Sequence, residues 1–389
     1  MNAMVKIALL GINRHFTKEH RIRNEIRSLG KECAIDGYGE SGVDELRQFY
    51  KVQRPNRYLY RVVKVMGGLF PQFRISFENF FYRRLLGDIR SRGYRFLISH
   101  NIDDGLLALA SGIPFVFHSH EYLPRQFDGN LLFRLTETRY RRCALTRLLS
   151  RAVLVIVEGN SVANMYASHF GILREKFCVM ASMPAFSPRF EQSIGSAVTV
   201  KLIHHGILVP ERGLELLLNI AALLGSKYHL TLMGPGPEAY IRKLKAAANG
   251  IGNISILSPV PYERIVETLH GYDLGLVVFG SPHFHHKHMT VPNKFWECLQ
   301  ARVPVLVSPE SAMVAYVKES GCGVVAESAT TDGYVKAIRG LTQEQISEMK
   351  TRCEEKAWIH SRDSWLEEHA LKLQSAVDAV YSSGASHFE

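Results

Sequence analysis

The 389-residue sequence has no Cys-x-x-Cys pair. Its cysteines, Cys33, Cys143, Cys178, Cys298, Cys322 and Cys353, are scattered. That pattern fits reduced thiols in a cytosol and offers no cysteine metal site. No run of about 18 apolar residues occurs, so no spanning helix is expected. The opening residues run directly into a strand pattern, and their apolar stretch is too short for a secretory signal. There is no Gly-x-Gly-x-x-Gly, which argues against a dinucleotide fingerprint. Acidic residues are scarce between positions 47 and 95, where only Glu78 and Asp88 oppose twelve basic residues.

At 46% hydrophobic and 22% charged residues, the composition is globular. The length exceeds one usual core, so two domains are expected. The net charge of +10 is carried by the first half of the chain, and the second half is slightly acidic. Such asymmetry points to one domain that meets an anionic partner. In residues 47–95, Arg54, Arg57, Arg61, Lys64, Arg74, Arg83 and Arg84 are interleaved with Tyr58, Tyr60, Phe70, Phe73, Phe77 and Phe80. A membrane surface suits this mixture. Nucleic acid suits the charge alone. A helical layer with buried rings and solvated arginines is the plain alternative.

Along the chain, apolar runs alternate with helical patterns. Residues 5–11 read as a first strand and 21–29 as a helix closed by Gly30. A strand at 96–99 leads into His100, and a helix at 105–111 follows. The strand at 115–117 ends in His118-Ser119-His120-Glu121. Open α/β sheets bind ligands at the carboxyl ends of their parallel strands. Histidine and glutamate are also metal-ligand types, but this tight spacing along one strand end disfavours zinc. Residues 134–150 read as a basic helix. Residues 180–189, with Pro184 and Pro188, read as a linker. The second half repeats the alternation. A strand at 201–205 enters a loop holding Gly206, Arg212 and Gly213, and a strand at 229–233 enters Gly234. Val260 lies in the loop after a strand at 253–257. The loop 281–288 holds four histidines, and residues 343–385 are helical in pattern.

The most informative stretch is His288 to Ser308, which reads as a loop, a short helix and a buried strand. Pro292 suits a first helical position, with Thr290 ahead of it as cap. A helix N-terminus can hold a phosphate. Lys294 and Glu297, three apart, share one helix face. The pair suits a nucleotide-sugar, with the lysine at the diphosphate and the carboxylate at a hydroxyl pair. An ordinary surface ion pair is the competing reading.

The segment Pro292-Asn293-Lys294-Phe295-Trp296-Glu297, continuing to Val305, resembles the donor-site helix of GT-B glycosyltransferases close to family 4. Those carry a P-N-K-x-x-E-x-x-A-x-G-x-P-V type of segment. Arg21-Ile22-x-x-Glu25 resembles their first helix, and Ser364-Trp365 their terminal helix. His120 and Glu121 match a D-x-H-E motif in which His118 replaces the Asp. The first glutamate of the family's usual pair would fall on Met289 and is absent. The resemblance implies an α/β fold of two Rossmann-like domains facing across a cleft. They would span residues 1–186 for the acceptor and 187–366 for the nucleotide-sugar, with a C-terminal helix, 367–389, crossing back.

The resemblance also implies roles. Arg212 and Lys294 would neutralise the diphosphate, and Glu297 would bind the ribose. Gly206, Gly234, Pro292 and Asn293 would line the donor site, and the Val260 loop would grip the base. His120 would stand near the donor sugar, with Arg21, His118 and Glu121 on the acceptor side. The implied activity is sugar transfer to a saccharide or lipid-linked acceptor, with retention, in cell-surface glycan biosynthesis. No metal and no further cofactor are expected. The expected location is the cytoplasm, against the inner face of the membrane through residues 47–95. A GT-B-like nucleotide-sugar 2-epimerase and a nucleic-acid-binding protein are the alternatives, and nucleic acid is not expected as a partner.

Overall fold

The computed structural model describes residues 4–16, 20–30, 33–125, 131–181, 183–188, 199–278 and 291–382. Thr290, Met289, Ser182 and the histidine loop 281–288 lie outside them. So does the side chain of Arg21, although its backbone belongs to the helix His20–Leu29. The chain divides into two compact units, residues 1–181 with 366–389, and residues 182–365.

The first unit is built on a parallel sheet. Its strands are β1 (Val5–His15), β2 (Cys33–Ser41), β3 (Gln48–Lys51), β4 (Phe96–Ser99), β5 (Phe115–Ser119), β6 (Leu154–Val157) and β7 (Phe177–Val179). Their order is β3-β2-β1-β4-β5-β6-β7. Ile7, Ala8, Leu9 and Leu10 are fully buried, as are Val155, Ile156 and Val157. Such unbroken apolar runs are what a sheet covered on both faces requires. Asn101 caps the helix Ile102–Ser111, its side chain accepting from the Asp104 N–H. The strand order reverses between β1 and β4, which opens a crevice at their carboxyl ends. His100 follows β4 there, and His118 lies on the neighbouring β5.

The second unit repeats the plan with β8 (Val200–His205), β9 (Tyr228–Met233), β10 (Ile254–Leu257), β11 (Leu274–Val277), β12 (Val305–Val307) and β13 (Gly323–Val325). The order β10-β9-β8-β11-β12-β13 reverses between β8 and β11. Leu202, Leu230, Leu232, Leu274, Leu276 and Leu306 form the sheet's part of one core, against Leu217, Ile220 and Ala221 of the helix Glu215–Leu224. Thr342 and Gln345 close a reciprocal capping box on the helix Gln343–Lys356.

Several local expectations change. The strand expected at 5–11 runs on to His15, across a register shift after Gly11. The single basic helix expected at 134–150 is two helices, Leu131–Thr136 and Thr138–Arg151. Glu137 stands at the break, its carboxylate taken by Arg74. Pro292 is the N-cap residue, with extended backbone, and the helix begins at Asn293. Proline at that position still sacrifices no helical hydrogen bond. Arg302 holds a positive φ of 61°, alone among the non-glycine residues described.

Candidate functional site

In the second unit, polar side chains gather at the reversal point, where β8 ends in His204-His205-Gly206. Gly206 has φ +115°. A Cβ built there would lie 3.5 Å from Arg212 Nη1 and 3.6 Å from Lys294 Nζ. The glycine backbone and two cationic side chains therefore converge on one spot. At Gly234 an added Cβ would stand 1.9 Å from the Gly206 carbonyl oxygen, so only glycine lets β9's loop pass so close. Pro292 and Asn293 open the helix whose first turn carries Lys294, and the dipole of that helix end favours an anion. Val260 is half-buried in the loop after β10.

Lys294 and Glu297 do share a helix face, but they do not pair with each other among the described residues. The surface-pair reading fails because both are buried, 7% and 6% exposed. Lys294 Nζ lies 3.2 Å from His204 Nε2, while His204 Nδ1 donates to the Leu276 carbonyl at 2.8 Å. That tautomer leaves Nε2 as acceptor for the lysine. His205 Nε2 donates to Glu297 Oε2 at 2.7 Å and fixes the carboxylate's orientation. Burial, and then the nearby Arg212, lower the Lys294 pKa to about 7. Burial also lowers Arg212, and burial with Lys294 holds His204 well below the usual imidazole range. An arginine and a buried lysine whose charge is partly suppressed, set this close, form a site ready for an anion, which would restore the lysine's charge.

In the first unit, three imidazoles meet one carboxylate. Glu25, on the helix His20–Leu29, is fully buried. His118 Nδ1 lies 2.6 Å from its Oε1, and His100 Nε2 lies 3.2 Å from its Oε2. His100 Nδ1 is 3.3 Å from His120 Nε2. Burial would raise the Glu25 carboxyl, but the charges of His100 and His118 outweigh it. Its pKa lies well below the ordinary range. The ligand-capable nitrogens of His100, His118 and His120 all lie within 4.8 Å of one another. Glu121 is half-buried, and its carbonyl accepts from the hydroxyls of Ser119 and Tyr166.

Sequence reading gave no role to His100, Glu25, His204 or His205. The signal was present: His100 and the pair His204-His205 stand at strand carboxyl ends, like His118.

The basic stretch 47–95 is neither wholly core nor wholly solvated. Arg74 is buried among Glu78, Glu137 and Tyr60, with its guanidinium 3.6 Å from the Tyr140 ring centre. The helix Arg57–Leu69 turns Tyr58, Val62, Val65, Met66 and Leu69 outward, and Phe70, Phe73 and Phe80 are exposed beyond it. Among the described residues no helix is long and apolar enough to cross a membrane.

Comparison with known proteins adds two family models. One, described as glycosyl transferases group 1, matches residues 195–358. The other, described as glycosyltransferase family 4, matches residues 22–181. No curated protein sequence matches the chain. Among solved structures, HepE of Anabaena in complex with UDP is 13% identical with a TM-score of 0.69, covering 96% of this chain and 100% of that one. WaaG, described as a glycosyltransferase involved in lipopolysaccharide biosynthesis, is 15% identical with a TM-score of 0.62, covering 94% and 98%. Sucrose-phosphate synthase of Thermosynechococcus elongatus is 11% identical with a TM-score of 0.66, covering 97% and 100%. At such identities the likeness shows a shared fold.

Proposed function

We propose, for a chain that belongs to the GT-B glycosyltransferases of the family 4-like type, a donor site formed by Gly206, Arg212, Lys294 and Glu297. The chain is a glycosyltransferase, and its co-substrate on this reading is a nucleotide-diphosphate sugar. The observation that carries the reading is the convergence of Arg212 and Lys294 on Gly206, with Glu297 held by His205. The two cations and the helix N–H groups receive the diphosphate, whose negative charge grows as the sugar departs. Glu297 accepts from the ribose hydroxyls. Gly234, Pro292 and Asn293 line the site, and backbone groups around Val260 take the base. HepE was solved with UDP, which makes uridine the first base to test.

The acceptor is a saccharide or lipid-linked saccharide of the cell surface, held by the first unit near His120, with Arg21, His118 and Glu121 on that side. Retention of configuration, with attack from the leaving-group face, is part of the same proposal. No metal is required, because fixed cations supply the charge stabilisation. The exposed apolar stripe of the helix Arg57–Leu69, flanked by exposed Arg57, Arg61, Arg83 and Arg84, supports docking on an anionic membrane at the cytoplasmic face.

The test is a thermal-shift and hydrolysis screen against UDP-, GDP-, ADP- and TDP-sugars. A ligand that binds only the native state raises its melting temperature. One nucleotide should stabilise the wild type, and the shift should vanish in Glu297→Gln and Lys294→Met. Release of a free 2-epimerised nucleotide-sugar without acceptor would replace this reading with an isomerase.

A further inference from the structure

Glu25, His100 and His118 reach one spot from three elements of the first unit: the helix His20–Leu29, the residue after β4, and β5. All three are buried. One half of the carboxylate is well satisfied, because His118 Nδ1 meets Oε1 at 2.6 Å. The other half is not. Glu25 Oε2 and His100 Nε2 stand 3.2 Å apart, yet neither atom has a hydrogen-bond partner among the described residues. Buried polar atoms are almost always paired, and leaving two adjacent ones unpaired is costly. A carboxylate oxygen and an imidazole nitrogen are both electron-pair donors. A cation between them answers both.

We propose that Glu25, His100 and His118 bind a divalent transition-metal ion of the zinc class. Two imidazoles and one carboxylate are a donor set that zinc takes, and ferrous iron takes the same set. The spacing agrees. With zinc bonds of 2.0–2.1 Å and angles of 90–110°, two ligand atoms on one ion stand about 2.9–3.4 Å apart. The 3.2 Å between Glu25 Oε2 and His100 Nε2 falls inside that range. Two imidazoles at a tetrahedral angle on such an ion have ring centres about 5.2 Å apart. Those of His100 and His118 are 5.5 Å apart, with the planes tilted by 42°. The short His118–Glu25 contact is the one that changes. The ion takes the place of its proton, which leaves to solvent, and the two atoms separate slightly.

His120 lies outside the ligand set. Its ring faces that of His118, 4.4 Å away and 25° from parallel, so no single ion lies in both ring planes. It meets the far nitrogen of His100 instead, Nε2 to Nδ1 at 3.3 Å. With Nε2 of His100 on the metal, Nδ1 carries the proton and donates to His120. Ligating histidines are usually oriented by such an outer partner. The two imidazoles and both carboxylate oxygens supply four donor atoms, which closes the ion to substrate and makes the site structural. It would fasten the helix His20–Leu29 to the carboxyl ends of β4 and β5, where the crevice of the first unit opens. The donor-site chemistry of the second unit does not use it. Sequence spacing disfavours zinc because it sees only His118, His120 and Glu121 along one strand end. The fold assembles a different set.

The test uses the full-length protein, stripped with a chelator and then titrated with zinc, cobalt(II) and, without oxygen, ferrous iron. Four histidines at 281–288 could bind zinc independently, so the parent protein for all titrations carries Asn at His283, His285, His286 and His288. The parent should bind one zinc per chain, release protons as it does so, and melt at a higher temperature. Cobalt should give the visible spectrum of a four-coordinate nitrogen and oxygen site. Glu25→Gln, His100→Asn and His118→Asn should each weaken zinc binding by more than about tenfold and cancel the thermal shift. His120→Asn removes only the outer partner and should cost no more than about 10–100-fold, with the cobalt spectrum retained. Nucleotide affinity should stay unchanged in all four variants, and their melting curves without metal check the fold. Tighter binding of ferrous iron than of zinc would overturn the choice of metal. No stoichiometric metal in the parent would overturn the site. So would zinc affinity that survives both Glu25→Gln and His100→Asn.

Discussion

At the scale of single residues, the informative positions are those where burial conflicts with charge. Lys294 is the clearest. Its ammonium is buried beside Arg212, and its pKa falls to about 7. A bound diphosphate reverses the balance by favouring the charged form. At pH 8 nucleotide binding is therefore expected to take up a proton. Calorimetry in buffers of different ionisation enthalpy reads this as a buffer-dependent heat, and Lys294→Met should abolish it. Equal heats in all buffers would mean that the lysine is charged before the ligand arrives. Arg302 is the second such residue. It occupies a left-handed conformation where the resembling segment has glycine. Its side chain compensates: Nε donates to Glu354 and Nη2 to the Ser187 carbonyl. Arg302→Ala loses these bonds and keeps a Cβ in the left-handed region, which costs roughly 1–2 kcal/mol. Arg302→Gly loses the same bonds without that strain. Chemical denaturation should therefore find Arg302→Gly the more stable variant by about 1 kcal/mol. The reverse order would show that the contacts alone decide.

At the scale of elements, most of the parallel strands were legible because buried parallel strands leave near-continuous apolar runs. β2, β3, β7 and β13 were not: Cys33–Ser41 mixes Asp36, Gly37 and Gly39 into the strand, and Phe177–Val179 and Gly323–Val325 are only three residues long. Asp36 is tolerated inside because Arg47 and Tyr94 satisfy it. The Lys294 helix was legible from Pro292 and from the spacing of Lys294 and Glu297. The strand-end position of His204 and His205 was legible, but their pairing with Lys294 and Glu297 was not, because strand periodicity says nothing about which side chains meet across an α/β reversal point. The layer containing the helix Pro71–Phe81 shows the same limit. Spacing alone leaves Arg74 on a solvated face, yet it closes a buried set with Glu78, Glu137, Tyr60 and Tyr140. Truncating the cation strands those carboxylates in a low-dielectric layer. Arg74→Met is expected to destabilise the protein by about 3–5 kcal/mol. Thermal or urea unfolding measures it, and a loss near zero would mean that the carboxylates are neutral or hydrated in the native state.

At the scale of the whole molecule, the question is why a basic chain leaves large apolar groups in water. The helix Arg57–Leu69 packs through Val63, Gly67 and Gly68, and a Cβ at Gly68 would lie 2.5 Å from the Leu135 carbonyl oxygen. The small face goes inward, and the large side chains go outward. Tyr58 is 76% exposed, Val62 60%, Leu69 59% and Phe70 58%. Folding alone would have favoured the opposite orientation, since each such side chain gains roughly 1.5–3 kcal/mol on burial. An outward apolar stripe rimmed by arginines is the pattern of a surface that enters a headgroup layer. Each basic side chain adds about 1 kcal/mol near an anionic leaflet, within a Debye length. The expected outcome is co-sedimentation with vesicles containing anionic lipid, weakening as salt rises. Two classes of variant separate the contributions. Arg83→Glu with Arg84→Glu should remove the salt-dependent part. Val62→Glu with Leu69→Glu should remove the residual binding at high salt and leave nucleotide affinity intact. If the wild type stays in the supernatant with anionic vesicles at low salt, the stripe does not dock on membranes, and the lipid-linked acceptor loses its structural support.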